Sequence, residues 1–332
     1  MAKTFIRDIK ASSFQSKEVL SFFALRRKDL KTKESDGKPF LSLELGDSTG
    51  RIDAVLWNDA EAQSQAMAIG DVVQVKGTVT SYRDSPQIRV EAIRTAAPSE
   101  YALEDFLPSS ALSPAEREAA IRVEMVTVKE PHLAKLLGSF FDDPEFLKSF
   151  LVAPAAKLWH HPYLGGLAEH TAAVCRLARG ALANYQLLDR DLLLAGCLLH
   201  DVGKVPEYRV GTFIDYSDRG RLLGHIVLGD QLVSERMTRI RDFPAELGMR
   251  LHHMVLAHHG EKDRGSPVTP ATLEALVLHH CDYLDAHAAA YTRIILREGG
   301  GTKRWSDYVN LIDRHLYLPG AGADDGAELK LL

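Results

Sequence analysis

A chain of 332 residues has room for two or three domains. It is 45% hydrophobic and 26% charged, a globular composition that excludes a disordered chain. Its 40 basic and 45 acidic residues give −5, which excludes a uniformly basic nucleic-acid coat. The 14 histidines all lie from His132 onward, so a His-free module is expected to precede a His-rich one. Cys175, Cys197 and Cys281 form no CxxC pair, which points to a reducing, cytoplasmic setting. There is no 18-residue apolar run, and the opening MAKTFIRDIK lacks the apolar core of a secretory signal, so no membrane partner is expected.

Residues 1–98 read as β. Alternating or β-branched runs fall at Val19 to Leu25, Phe40 to Leu45, Ile52 to Trp57, Val72 to Tyr82 and Gln87 to Ile93. Turn signals separate them at Asp36-Gly37, Asp47 to Gly50, Gly70-Asp71 and Asp84 to Pro86. A helix-compatible insert, Asp59 to Ala68, sits between the third and fourth runs. That element order is the order of an OB-fold barrel. Alternation puts Leu41, Leu43 and Leu45 on the core face and Phe40, Ser42 and Glu44 on the other, with Trp57 able to lie across from Phe40.

The module carries 15 basic and 13 acidic residues, or +2, leaving −7 for the remainder. Arg26, Arg27, Lys28, Lys31 and Lys33 crowd the first hairpin with Asp29 opposing them. OB folds hold single strands with a basic groove and aromatic stacking platforms. Arg26, Arg27, Lys28, Phe40 and Trp57 are therefore candidate nucleic-acid contacts. A solvated charged surface and a tryptophan in the barrel core are the competing readings. The segments GKPFLSLELGDSTGRIDAVLWN and GDVVQVKGTVTSYRDSPQIRV resemble OB domains of the anticodon-binding type.

Residues 99–155 read as a linker and helical connection. Ser113-Pro114-Ala115-Glu116 is a capping-box helix start, and apolar spacing predicts helices over 114–127, 131–142 and 144–152. From 156 to 318 the pattern is helical, with helices expected over 166–185, 191–199, 222–240, 245–258, 270–287 and 288–297. Residues 319–332 read as a C-terminal tail.

The chemistry of this second module lies in His170, His200-Asp201, His225, His258-His259 and Asp282. Ionisable residues on apolar helix faces cost several kcal/mol unless satisfied, and metal ligation from facing helices satisfies several at once. A single ion takes about four protein ligands, so seven candidates suggest two ions with a bridging carboxylate, for which Asp201 is the natural choice. Imidazoles with carboxylates suit Mn, Fe, Co, Ni or Zn. Two such ions can activate a hydroxide and clamp an in-line phosphoryl displacement. Lys204, one turn past Asp201, is placed to neutralise a phosphate oxygen.

The order H…HD…H…HH…D resembles the two-metal branch of the HD-domain phosphohydrolases. The segments PAAKLWHHPYLGGLAEHT, DLLLAGCLLHDVGKVPE, YSDRGRLLGHIVLG, LAHHGEKDRGSPVTP and EALVLHHCDYLDAH are similar to those of YhaM-type 3′→5′ exoribonucleases, which join an OB domain to an HD domain. That resemblance implies a multidomain chain, an N-terminal all-β OB-fold barrel followed by an all-α HD-domain helical bundle. It implies one metal on His170, His200, Asp201 and Asp282, a second on Asp201, His225 and His258, and His259 as a further ligand or phosphate contact. It implies Mn²⁺ as the metal and brings His161 of the HHPYLGG turn toward the substrate, with a helix-cap hydrogen bond as its alternative. His160, His252, His253, His279, His280 and His287 are read mainly as packing or surface. Arg219, Arg221 and Lys262 are candidate phosphate contacts, or else solvated loop charges.

The expected activity is metal-dependent 3′→5′ hydrolysis of single-stranded RNA, with single-stranded DNA as a second polymer, releasing nucleoside 5′-monophosphates. An HD-type phosphodiesterase or nucleotidase on a small nucleotide, and a nucleic-acid-binding protein with an inactive HD site, remain open alternatives. Homo-oligomerisation also remains open.

Overall fold

The computed structural model describes residues 3–11, 16–33, 35–82, 85–299, 301 and 303–319. Two compact units divide the chain, the first comprising residues 1–108 with 210–214 and the second residues 109–209 with 215–332. The expected tail over 319–332 falls, from residue 320, outside the described residues.

The first unit opens with α1 (Ile6–Lys10) and is built on five strands: β1 (Glu18–Thr32), β2 (Pro39–Asp47), β3 (Gly50–Leu56), β4 (Val72–Tyr82) and β5 (Ser85–Thr95). They close in the order β1-β2-β3-β5-β4, with β3 and β5 parallel and the other neighbours antiparallel. The helix α2 (Ala60–Ala66) joins β3 to β4. This is the OB-fold barrel expected from the strand pattern. Leu41, Leu43 and Leu45 are fully buried among Phe23, Val73, Val75 and Ile88, as the period-2 alternation requires. Closure removes the exposed sheet edges that an open five-stranded sheet would carry.

β1 is longer than expected, so Arg26, Arg27, Lys28 and Lys31 of the basic run lie on the strand, and Lys33 follows its end. A bulge at Arg26 shifts the β1–β2 register between Leu25 and Arg27. It turns the Arg26 guanidinium onto the carbonyls of Thr212 and Phe106, at 2.8 and 3.1 Å. Lys28, paired with the core residue Leu43, donates its ammonium to the carbonyls of Ser64 and Met67. Arg26 and Lys28 thus satisfy backbone carbonyls of the barrel unit.

In the second unit, α3 (Pro114–Met125), α4 (Pro131–Phe141) and α5 (Pro144–Val152) begin where the capping box and the apolar spacing place them, and Ser113, Glu130 and Asp143 accept the backbone N–H groups of their first turns. Their apolar faces share one core with α6 (Gly166–Asn184) and α7 (Arg190–Leu199). The expected separate connection over 99–155 is therefore divided. Residues 99–108 group with the barrel unit, and the three helices belong to the helical unit.

The chain continues through α8 (Lys204–Glu207), the strands β6 (Tyr208–Val210) and β7 (Ile214–Tyr216), then α9 (Asp218–Met237) and α10 (Ala245–Ala257). The last helix, α11 (Leu273–Glu298), replaces the two helices expected over 270–287 and 288–297. Its sequence contains no Gly or Pro to interrupt it. A turn-rich segment, 303–319, closes on itself through Ser306 N–H to Leu316 O and Leu318 N–H to Arg304 O, both 2.9 Å.

The barrel register has a direct test. Leu43→Ala should cost about 2–5 kcal/mol by opening a cavity in a closed core. Ser42→Ala, one residue away on the other face, should stay within about 0.5 kcal/mol. Denaturant unfolding of both variants checks this, and equal effects would contradict the register.

Candidate metal centre

α6, α7, α10 and α11 are apolar on the faces that meet, and the polar residues on those faces collect at one place. His170 comes from α6, His200 caps α7 with Asp201 beside it, His258 caps α10 with His259 beside it, and Asp282 lies on α11. His225 lies in α9 directly after Gly224, whose φ of 71° and ψ of 157° break that helix. A Cβ at Gly203 would stand 1.9 Å from His225 O, so the turn after Asp201 can approach α9 because residue 203 is glycine.

The seven expected ligands converge in two sets that share Asp201. On one side, His170 Nε2 lies 3.4 Å from Asp201 Oδ2, 3.1 Å from Asp282 Oδ1 and 3.3 Å from His200 Nε2. On the other, His225 Nε2 and His258 Nε2 each lie 3.6 Å from Asp201 Oδ1, and His225 Nε2 lies 3.3 Å from His259 Nε2. With metal–nitrogen and metal–oxygen bonds of about 2.0–2.2 Å, two donors on one ion stand roughly 3–3.5 Å apart. The donor spacing fits a divalent cation. So does the satisfaction of the polar atoms: Asp201 Oδ1 and His258 Nε2 are buried without a hydrogen-bond partner.

The opposite nitrogens are held by the protein. His200 Nδ1 meets Cys197 O at 2.8 Å, His258 Nδ1 meets Val255 O at 2.7 Å, and His259 Nδ1 meets Arg264 O at 2.9 Å. His170 Nδ1 lies 2.7 Å from Asp285 Oδ2, and His225 Nδ1 lies 3.1 Å from Glu207 Oε1. A carbonyl or carboxylate accepting from Nδ1–H leaves the Nε2 lone pair free to ligate.

Burial disfavours charge throughout. It lowers His258, and it lowers His259 to about 3, so both rings are neutral donors near pH 7. For Asp201 burial pulls upward, but Lys204 and His200 outweigh it and hold the carboxyl well below the usual range. Asp282 is likewise lowered against its burial, chiefly by His170. His170 is raised despite complete burial, by hydrogen bonds to Asp201, Asp282 and Asp285. Lys204 Nζ sits 2.5 Å from Asp201 Oδ2.

His161 is held by hydrogen bonds within the protein. Its φ of 42° turns the side chain so that Nδ1 meets Tyr163 Oη at 2.8 Å and Nε2 meets Asp285 Oδ2 at 3.0 Å. Both ring nitrogens are engaged, and the Asp285 carboxylate that His161 meets is the one held against His170 Nδ1. Its neighbour His160, read above as packing or surface, has two buried ring nitrogens without hydrogen-bond partners. Arg219, Arg221 and Lys262 are exposed, and Arg221 pairs with Asp215 at 3.0 Å.

Each unit matches a known family. The helical unit matches the HD domain over residues 167–287, and the barrel matches the OB-fold nucleic acid binding domain over residues 25–96. The chain is similar to the 3′-5′ exoribonuclease YhaM of Shouchella clausii, 33% identical over 91% of this chain and 94% of the relative. Against that of Halalkalibacterium halodurans it is 34% identical over 92% and 95% of the two chains. Against that of Bacillus licheniformis the values are 32%, 91% and 95%.

The chain belongs to the YhaM 3′-5′ exoribonuclease family. It is, with that family, a phosphodiester hydrolase built on a metal-dependent HD fold. Asp285 and Glu207 complete the centre and were not singled out in the sequence. Asp285 follows Asp282 by three residues, one helical turn, so the DxxD spacing was the available signal. Asp285→Asn, which removes the charge behind His170, should weaken divalent-metal binding about 10–100-fold. Calorimetric titration of Mn²⁺ into the protein checks this, and unchanged affinity would contradict the role.

Proposed function

We propose that this chain is a Mn²⁺-dependent 3′→5′ exonuclease acting on single-stranded RNA, and secondarily on single-stranded DNA, releasing nucleoside 5′-monophosphates. The observation that carries the reading is Asp201, whose two carboxylate oxygens face separate histidine sets within a family of 3′-5′ exoribonucleases. His170, His200, Asp201 and Asp282 would hold one divalent ion. Asp201, His225, His258 and His259 would hold the other. When bound, such a pair supplies Lewis acidity, which activates water and neutralises the phosphate in an in-line displacement. Fe, Co, Ni and Zn suit the same donors.

The protein's own groups position the reacting atoms. The carbonyls and carboxylates on the Nδ1 atoms fix the imidazoles, so no rearrangement of the rings is needed when the phosphodiester arrives. Lys204, held against Asp201 at the edge of the adjoining cavity, offers its ammonium to a non-bridging phosphate oxygen. Water attacks the terminal phosphorus, the 3′-oxygen of the penultimate nucleotide leaves, and a 5′-monophosphate departs.

The barrel holds the strand in this reading. Phe40 and Trp57 pack with ring centroids 4.8 Å apart, and Trp57 is 43% exposed. Lys31 lies opposite Phe40, and Lys33 Nζ stands 5.7 Å from the Trp57 ring. Arg27 shares this face, although Asp29 and Asp53 lie beside it. Arg219, Arg221 and Lys262 remain candidates for the backbone phosphates. A cytoplasmic setting is part of the reading, supported by three buried free cysteines. Among the described residues no helix is long and apolar enough to cross a membrane.

Two variants separate the parts. Asp201→Ala should abolish Mn²⁺-dependent shortening of 5′-labelled RNA while leaving far-ultraviolet circular dichroism unchanged, and retained activity would sink the assignment. Trp57→Ala should weaken single-strand binding by about 1–3 kcal/mol yet spare hydrolysis of a small phosphodiester. Fluorescence anisotropy with labelled RNA measures the first effect, and unchanged affinity would remove the platform from the barrel.

A further inference from the structure

Beside the metal centre is a cavity of about 690 Å³, within the size range of small-ligand pockets. Asp282, Lys204 and His259 line it, so the cavity shares residues with the proposed ligand set. Its wall is a ladder of rings. Tyr283 stacks on His287 with centroids 3.8 Å apart and planes at 25°, and Trp159 meets His287 edge-on at 5.8 Å. Tyr283 is 37% exposed, and the Arg264 guanidinium lies 4.6 Å from its ring. Leu311 and Arg314 of the segment 303–319 also line it.

Two features of this cavity are not explained by the metal centre alone. Aromatic rings line it although no ring there completes the main apolar core. His160 also lines it, and both of its ring nitrogens are buried and unpartnered. A buried imidazole that lacks any partner is costly, and a ligand group that accepts from its N–H removes that cost.

We propose that this cavity is the subsite for the 3′-terminal nucleotide, with the base packed on the Tyr283–His287–Trp159 wall and His160 donating a hydrogen bond to the scissile phosphate. The inference rests on the exonuclease reading and adds to it the residues that recognise the end of the chain. An aromatic wall accepts any base, because every base has a π-face, so the subsite selects for an unpaired terminal nucleotide and not for sequence. The phosphate lies beside Asp282 and the proposed ligand set, and the released product is the nucleotide the cavity already holds.

The test compares two RNA oligomers that differ only at the 3′ end, one ending in an ordinary nucleotide and one in an abasic ribose. Wild-type protein with Mn²⁺ should cleave the ordinary end with kcat/KM about tenfold or more above the abasic end. Tyr283→Ala should erase that preference by slowing the ordinary end alone, and Tyr283→Phe, which keeps the ring, should retain it. His160→Phe, which keeps the volume but loses the donor, should slow both ends alike by about tenfold. Equal cleavage of both ends by wild type, or a preference that survives Tyr283→Ala, would overturn the base wall. An unaffected His160→Phe would overturn the phosphate contact. Binding without turnover isolates the subsite from the activity. Adenosine 5′-monophosphate should displace ribose 5-phosphate from the Mn²⁺-loaded wild type and lose that advantage in Tyr283→Ala. If RNA is not degraded but this preference stands, the exonuclease reading fails and the subsite survives; if the preference is absent, the subsite fails.

Discussion

The structure depends on one buried carboxylate. Asp201 is almost wholly removed from solvent, and each of its oxygens faces a different group of imidazoles. An isolated carboxylate in that position would be heavily penalised. It is stabilised by the ammonium of Lys204 and by the rings from α6, α7, α9 and α10, and a pair of divalent ions would stabilise it further. The apolar core beneath it serves this arrangement. Fully buried leucines on α7 fix the position of the His200-Asp201 turn, and Gly203 lets that turn meet the backbone of α9.

Much of this was legible in the sequence, for reasons that are local. Strand alternation identified the core leucines of the barrel because side-chain direction in a strand follows from period two alone. Ser113 marked a helix start because capping is a property of a few adjacent residues. The metal-site candidates stood out because His and Asp on apolar helices require a tertiary partner, and the same helices bring them together.

What was not legible depended on tertiary geometry. Arg26 and Lys28 look identical to Arg27, Lys31 and Lys33 in the sequence. Only the bulge and the barrel register show that the first two are turned onto backbone carbonyls. The engagement of His161 with Tyr163 and Asp285 goes with a positive φ at His161, which no spacing rule forecasts. Asp285 and Glu207 matter through the nitrogens they hold and not through a cluster of their own, so a search for ligands passes over them.

The division of charge along the chain gains a physical meaning in this frame. The −5 of the whole conceals a barrel module of +2 and a remainder of −7, which suits one unit to a polyanionic strand and the other to cations. The claim on which the rest turns is that Asp201 joins two ion sites. Native mass spectrometry of the purified chain titrated with Mn²⁺ tests it most directly. Two ions per wild-type chain, with binding at both sites weakened in Asp201→Ala, is the expected result. A single ion at saturation, or two ions bound with unchanged affinity in Asp201→Ala, would contradict it.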